Sequence, residues 1–111
     1  MSKYHNKRIV TQDGKFDSQR EYSRWCELKL MQRAGLITDL QRQVRFNLVP
    51  AQRAPGKRGR VLEHAVDYVA DFVYTVDGQQ VVEDSKGAKT PDYIIKRKLM
   101  LWLHGIAIKE T

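Results

Sequence analysis

The sequence has few of the residues that mark secreted, membrane-spanning or disordered proteins. A single cysteine, Cys26, excludes an internal disulfide and a zinc site built from several thiolates, which favours a reducing, intracellular setting. Three prolines and seven glycines among 111 residues are too few for a disordered or fibrous chain. No apolar run approaches the roughly 20 residues that cross a bilayer, and no secretory signal opens the chain. We therefore expect one soluble domain and no membrane partner.

Acidic residues are the scarcer charged class. The chain has 13 Asp and Glu against 20 Lys and Arg, which gives a net charge of +7. Such an excess favours a polyanionic partner. Charge alone does not separate DNA from RNA, and both stay open at this point. The densest basic segment is 50–60, whose prolines and glycines predict a loop.

The first 16 residues differ in pattern from the rest. Residues 1–16 are basic with little apolar periodicity, which predicts a basic arm or a short hairpin ahead of a domain over 17–111. A capping box, in which Ser18 is followed three residues later by Glu21, predicts the start of a helix. On that helix Arg24 is expected to face outward with the other polar residues.

Three strands are predicted after this helix. Apolar residues alternate with polar ones from Val44, which is the period of a half-buried strand. The dipeptide Asp77-Gly78 favours a type I′ turn between strands over 65–75 and 79–86. This hairpin is the strongest local pattern in the sequence.

A second helix and a short strand complete the domain. Thr90 and Pro91 are typical of a helix start, and Gly105 of a helix end. The residues expected on the buried face are Ile95, Leu99, Trp102 and Leu103. Residues 106–108 are predicted to form a strand that pairs parallel after a crossover. The expected fold is a single α/β domain, in the order helix-strand-strand-strand-helix-strand, with a mixed four-stranded sheet.

The predicted hairpin brings two acids together. With a two-residue loop Val76 faces Gln79, and counting back along both strands places Asp71 opposite Asp84. Lys86 would project on the same face as Asp84. The neighbouring Val69, Val73 and Val82 would also lie on this face. Facing carboxylates in an apolar strip need a compensating cation.

Mg²⁺ fits this pair because it takes oxygen ligands from one or two carboxylates, and Mn²⁺ is expected to substitute. Lys86 would then orient the nucleophile or stabilise the charge that develops on a phosphate. The structural alternative is a salt-bridge cluster in which Lys86 only neutralises the acids. A register shifted by one residue would separate them altogether.

The two strands resemble the signature of the PD-(D/E)xK nucleases, in which one strand carries an Asp and the next carries an acid, any residue and Lys. The matching segments are Val-Ala-Asp-Phe-Val-Tyr over 69–74 and Val-Val-Glu-Asp-Ser-Lys-Gly over 81–87. The predicted order of elements over 17–110 also resembles the restriction-endonuclease-like core of that superfamily. Ala70 replaces the proline of the signature, and Asp84 stands where Glu is commoner, so the carboxylate is retained.

Other segments are similar to a small phage-encoded family related to the junction-resolving endonucleases of phages and archaea. They are Asp-Ser-Gln-Arg-Glu-Tyr-Ser-Arg-Trp-Cys-Glu-Leu-Lys, the Arg-Ala-Gly-Leu-Ile that follows it, and Ile-Lys-Arg-Lys-Leu-Met. The resemblance implies a Mg²⁺-dependent endodeoxyribonuclease, acting on branched or junction DNA in phage DNA metabolism in the bacterial host cytoplasm. It also implies that Glu21 assists the metal through water. The alternative for Glu21 is the capping box alone.

Basic residues are expected to hold the DNA backbone without reading its sequence. The candidates are Lys57, Arg58, Arg60, Lys89, Lys96 and Lys98. A small enzyme that cuts two strands would work as a symmetric homodimer, although the sequence names no interface. The alternative from another functional class is a non-catalytic, basic DNA-binding accessory module whose acid cluster is structural.

Overall fold

The computed structural model describes residues 8–111, in which two helices pack against a mixed sheet. The elements are β1 (Ile9–Thr11), β2 (Gly14–Phe16), α1 (Gln19–Arg33), β3 (Thr38–Val49), β4 (Gln52–Arg53), β5 (Val61–Glu63), β6 (Val66–Val76), β7 (Gln79–Asp84), α2 (Pro91–His104) and β8 (Lys109–Glu110). Strands β1 and β2 form a hairpin within the predicted basic arm, and Phe16 at its end is buried. The first seven residues of that arm lie outside the described residues. Neither helix in this part of the chain has the length and apolar character to span a membrane.

The central sheet has the strand order β3-β6-β7-β8. Its first three strands are antiparallel, and β8 pairs parallel to β7 after the α2 crossover. The predicted mixed four-stranded sheet is thereby confirmed. The prediction of a strand at 106–108 was wrong, because Ile106 and Ile108 pack against the core on the α2 side and pairing begins only at Lys109.

The β6–β7 hairpin has the predicted register, from Val76 opposite Gln79 to Phe72 opposite Glu83. Asp77 and Gly78 have φ angles of 49° and 77°, and a type I′ turn requires positive φ at both positions. One step beyond the last paired residues, the same register places Asp71 opposite Asp84. Strand β7 ends at Asp84, two residues earlier than expected, so Lys86 lies in the loop that follows it.

Helix α1 covers one face of the sheet. The Ser18 hydroxyl caps it by accepting from the Glu21 amide at 3.1 Å, as the capping box predicts. Leu28 packs with Phe72 and Tyr74 in the core on this side, where each fully buried side chain contributes about 1.5–3 kcal/mol.

The outward position predicted for Arg24 was wrong. Its guanidinium donates two hydrogen bonds to Glu83, at 2.6 and 2.9 Å. Glu83 is fully buried and also accepts from the Tyr74 hydroxyl at 2.6 Å and from Thr111 at 3.2 Å. Burial alone would raise the pKa of Glu83, but the Arg24 and Tyr74 hydrogen bonds hold it below its usual value. Arg24 turns inward because β7 directs this carboxylate at α1.

Helix α2 covers the other face of the sheet, but it is rotated about its own axis relative to the prediction. The Thr90 hydroxyl accepts from the Tyr93 amide at 3.3 Å, and Gly105 ends the helix at φ 66°. The buried residues are Tyr93 and Met100, whereas Trp102 is 84% exposed and Ile95 and Leu103 are also exposed. Positions two apart on a helix point in nearly opposite directions, so burying Tyr93 turns Ile95 outward.

The predicted basic loop over 50–60 is partly structured. Gln52–Arg53 and Val61–Glu63 pair as β4 and β5, and the chain between them turns tightly. At Gly59 an added Cβ would lie 1.9 Å from the Ala54 carbonyl oxygen, so only glycine fits there. The cations of this segment, which we call the β4–β5 arm, therefore lie on a folded strand pair and its turn, not on an extended loop.

We expect Arg24→Met to destabilise the protein by about 3 kcal/mol or more, because it leaves the Glu83 carboxylate buried without its cation. Arg33→Met on the same helix is the control, since Arg33 is exposed and should change stability by less than about 0.5 kcal/mol. Urea unfolding of the three proteins measures both effects. Equal midpoints for the two variants would contradict the assignment of Arg24 as a buried anchor.

Candidate functional site

A cleft of about 780 Å³ opens where the first turns of both helices approach the end of β7. Three of the predicted site residues, Glu21, Asp71 and Lys86, line it. Asp84 lies beneath them and is 1% exposed. The remaining lining residues are Asp17, Ser18, Arg20, Ser85, Gly87, Ala88 and Thr90. The structure thus brings together all four residues that the sequence predicted as a catalytic group.

The floor of the cleft is built from Asp71 and Asp84. One Asp71 oxygen accepts from the Ser85 amide at 2.9 Å, and Asp84 Oδ2 accepts from the Tyr68 hydroxyl at 2.6 Å. Asp84 Oδ1 is buried and has no hydrogen-bond partner among residues 8–111. Its nearest cation is Lys86, whose Nζ lies 3.6 Å away. Buried carboxylate oxygens are normally paired, so this oxygen is an exception that needs a reason.

The crowding of acids at this floor perturbs their protonation. Burial, together with the adjacent Asp84 carboxyl and Glu21, raises the pKa of Asp71 to about 8. Burial also raises the pKa of Glu21. The site therefore resists holding all of its negative charge without a cation.

Lys86 is held over this floor by its surroundings. Its Nζ lies 4.6 Å from the centroid of the Tyr93 ring, and its backbone amide donates to the Thr111 carbonyl at 3.1 Å. The Tyr93 hydroxyl donates in turn to Glu110 at 2.7 Å, which fixes the ring. Although Lys86 lies beyond the end of β7, its amine still meets Asp84 as expected.

Glu21 has a structural contact and a site contact at once. Its Oε2 accepts from the Asp17 amide at 3.2 Å, in the manner of a capping box, while Oε1 accepts from the Gln43 side-chain amide at 3.2 Å. The capping role of Glu21 and its expected role beside a metal are thus compatible in geometry. Among residues 8–111, no three His, Cys, Asp or Glu side chains are grouped closely enough to bind a metal by themselves. The arrangement is a pair of carboxylates with a third nearby.

The predicted DNA-contacting cations lie outside the cleft. Lys57, Arg58 and Arg60 are exposed on the β4–β5 arm, and Lys96 and Lys98 lie on α2. Lys89 makes an ion pair with Glu110 at 3.2 Å, so part of its charge is neutralised. Arg20 on α1, which is not among the predicted DNA-contacting cations, is exposed and lines the cleft. The position of Arg20 near the site could have been expected from the sequence, because Arg20 directly precedes Glu21.

Two further residues of the site were missed, Tyr68 and Gln43. Strict alternation places Tyr68 on the face away from Asp71, yet its hydroxyl reaches Asp84. The same alternation predicted Val69 beside Val73, which was wrong: Val73 belongs to the core on the α2 side, and Val69 is 36% exposed. Strand β6 changes face at Asp71, and this switch has no local sequence signal.

The chain belongs to a family described as a protein of unknown function (DUF1064), whose model matches residues 1–104. No curated protein and no solved structure matches the chain.

We expect the metal-free protein to lose stability as the pH rises from about 4 to about 8. The pKa of Asp71 rises from its ordinary 3.8 to about 8 on folding, so the native state keeps a proton that the unfolded chain has released. The stability contributed by protonated Asp71 is complete below 3.8 and is lost as the pH rises through 8.

Asp71→Asn should weaken this pH dependence and exceed the wild type in stability at pH 8 by at least about 1 kcal/mol. Urea unfolding with EDTA at pH 5 and pH 8 provides the measurement. The control is Asp67→Asn on the same strand, because hydrogen bonds from Asn47 and Arg45 lower the pKa of Asp67 and its loss should destabilise. An Asp71→Asn variant less stable than the wild type at both pH values would show that crowding does not govern this site.

Proposed function

We propose that the protein is a metal-dependent endodeoxyribonuclease that hydrolyses phosphodiester bonds in DNA, with branched or junction DNA among the substrates to be compared with linear DNA. The observation that carries the proposal is the buried Asp84 Oδ1, which lies beside Asp71 and 3.6 Å from the Lys86 amine and has no hydrogen-bond partner in the described part of the chain. A sheet built for stability alone gains nothing from facing acids, since like charges opposite each other destabilise a strand pair.

The donor set fits a hard divalent cation. Asp71 and Asp84 offer carboxylate oxygens, and the open cleft above them leaves room for water and a substrate phosphate. Mg²⁺ would be held by these two residues, with Glu21 close enough to assist through water, and Mn²⁺ should replace it. When bound, the ion would polarise the phosphoryl oxygens and lower the pKa of a bound water.

The residues of the chain would divide the remaining work. Lys86 lies above the acids as a cation and would stabilise negative charge on the phosphate under attack or orient the attacking water. Tyr68 fixes the orientation of Asp84 by donating to Oδ2, which leaves Oδ1 directed at the site. Ser85 does the same for Asp71 through its backbone amide.

Charge and shape favour a nucleic acid as the substrate. The net charge of +7 would attract a polyanion, while Arg20 and Lys86 place cations at the cleft itself. The floor is acidic, so an approaching phosphate needs these cations or a bound metal to be accepted. DNA and RNA differ at the 2′-hydroxyl, and cleavage assays on both will separate them.

The decisive test is cleavage of linear duplex, single-stranded and four-way-junction DNA in parallel, with Mg²⁺ and with EDTA. We expect Mg²⁺-dependent cleavage by the wild type and a loss of at least about 10²-fold in Lys86→Ala, because the lysine acts on the transition state. DNA affinity should be largely retained. Lys109→Ala, which removes an exposed lysine from β8, should cleave normally.

The same assay decides against the accessory-module alternative. A basic DNA-binding module with a structural acid cluster would bind all of these DNAs and cleave none of them at any metal concentration. Cleavage that survives Lys86→Ala would reduce Lys86 to a salt-bridge partner. Loss of cleavage in Asp84→Asn should accompany the loss in Lys86→Ala.

Salt dependence of binding will locate the DNA-contacting surface. Each phosphate contact contributes roughly 0.9 to the slope of log affinity against log salt. Replacing Lys57, Arg58 and Arg60 together by Gln should flatten the slope by up to about 2.7 if all three contact phosphate, and Arg20→Gln by up to about 0.9. An unchanged slope in the triple variant would place the β4–β5 arm away from the DNA and favour Lys96 and Lys98 on α2.

A further inference from the structure

Strands β3 and β6 both change the side of the sheet on which their even-numbered side chains lie, and they do so at one pair of opposed residues. In β3, Leu40 packs on the α1 side of the sheet, whereas Val44, Phe46 and Leu48 pack on the α2 side. In β6 the order is reversed along the chain: Tyr68 and Ala70 lie on the α2 side, and Phe72 and Tyr74 lie on the α1 side. All of these positions are even-numbered, so regular alternation cannot produce the change. The Arg42 guanidinium lies over the Trp25 ring on the α1 side, so the change falls between Arg42 and Val44 in β3, and between Ala70 and Phe72 in β6.

Gln43 and Asp71 are the residues at this point. Arg42 pairs with Phe72 and Val44 with Ala70, so Gln43 lies opposite Asp71. Gln43 has φ 53°, in the left-handed region that non-glycine residues rarely occupy. Such conformations cost free energy and persist where the surroundings impose them, often at functional sites. The strained residue thus lies directly beside a candidate catalytic acid.

The Gln43 side chain joins two of the acids. Its Nε2 lies 3.2 Å from Glu21 Oε1 and 3.5 Å from Asp71 Oδ1. An amide nitrogen carries two hydrogens and can donate to both carboxylates at once. Without this donor, the two oxygens would face each other across the cleft with Arg42 as the nearest cation to Glu21, at 3.9 Å.

We infer that Gln43 is a positioning residue, whose strained backbone aims a neutral amide between Glu21 and Asp71 to hold both carboxylates ready for a divalent cation. The inference rests on the proposed function. A lysine or arginine in this place would also hold the acids, but its charge would compete with the metal. A neutral donor fixes their positions and keeps their negative charge.

Three variants separate the amide from the backbone strain. Gln43→Met keeps a long side chain on the strained backbone and removes the donor. Gln43→Gly removes the donor and relieves the strain. Asp39→Gly is the matched control, because Asp39 is exposed and has φ 55° in the same strand, away from the cleft. Mn²⁺ affinity by calorimetry and the thermal midpoint without metal are measured for each.

Both Gln43 variants should bind Mn²⁺ about 10- to 100-fold more weakly than the wild type, the range typical of residues that orient metal ligands. Gln43→Gly should nevertheless melt at or above the wild-type temperature, because glycine accepts positive φ without strain. Asp39→Gly should also melt at or above that temperature and bind Mn²⁺ normally. A purely structural residue would not separate affinity from stability in this way.

Asp71→Asn distinguishes failure of this inference from failure of the proposed function. If the wild type binds Mn²⁺ no more tightly than Asp71→Asn, both are overturned. If binding depends on Asp71 while Gln43→Met and Gln43→Gly bind like the wild type, only the role of Gln43 is overturned. Should Gln43→Gly fold poorly, the Gln43→Met affinity decides the question alone.

Discussion

The register of the β6–β7 hairpin is the constraint on which the candidate site depends. The turn at Asp77-Gly78 fixes which residues face each other, so Asp71 meets Asp84 while Glu83 points to the opposite face. A slip by one residue would exchange the faces of Glu83 and Asp84. Arg24 opposes that slip, because its two hydrogen bonds hold Glu83 on the α1 side. The Arg24–Glu83 ion pair on the α1 side of the sheet therefore holds Asp84 on the opposite face, where the candidate site lies.

Glu83 and Asp84, the two adjacent acids of β7, are equally buried but differ in the hydrogen bonds they accept. Glu83 accepts from Arg24, Tyr74 and Thr111, which balances the cost of its burial. Asp84 receives one short hydrogen bond from Tyr68, whereas its second oxygen has no hydrogen-bond partner among residues 8–111 and lies 3.6 Å from the Lys86 amine. Depth in the protein is the same, so the supply of donors makes the difference. Of these two acids, Asp84 is the one that has another carboxylate and a lysine beside it.

Sequence reasoning succeeded where the determining residues are close along the chain. The caps of both helices and the register of the hairpin depend on residues within four positions of each other, and the structure confirms them. It failed where tertiary contacts decide. Arg24 lies 59 positions from Glu83 and could not be recognised as its partner. The rotation of α2 depends on which of its apolar residues meet the sheet, and in the structure these are Tyr93 and Met100, which pack with strand residues distant along the chain.

The face switch at Gln43 explains why the site contains side chains that the hairpin alone does not predict. Regular alternation would have kept the Tyr68 hydroxyl away from Asp84 and would have brought the Val69 side chain to the acids. An apolar side chain would then lie at the floor, and Asp84 would lack the hydrogen bond that orients it. The switch instead places a hydroxyl beneath Asp84 and an amide between Glu21 and Asp71. It also leaves the acidic floor deep in a protein of net charge +7, with Arg20 and Lys86 at the cleft. Long-range attraction for a polyanion and short-range demand for a cation are thus separated in space, and the proposed phosphate substrate, arriving with a divalent metal, would satisfy both.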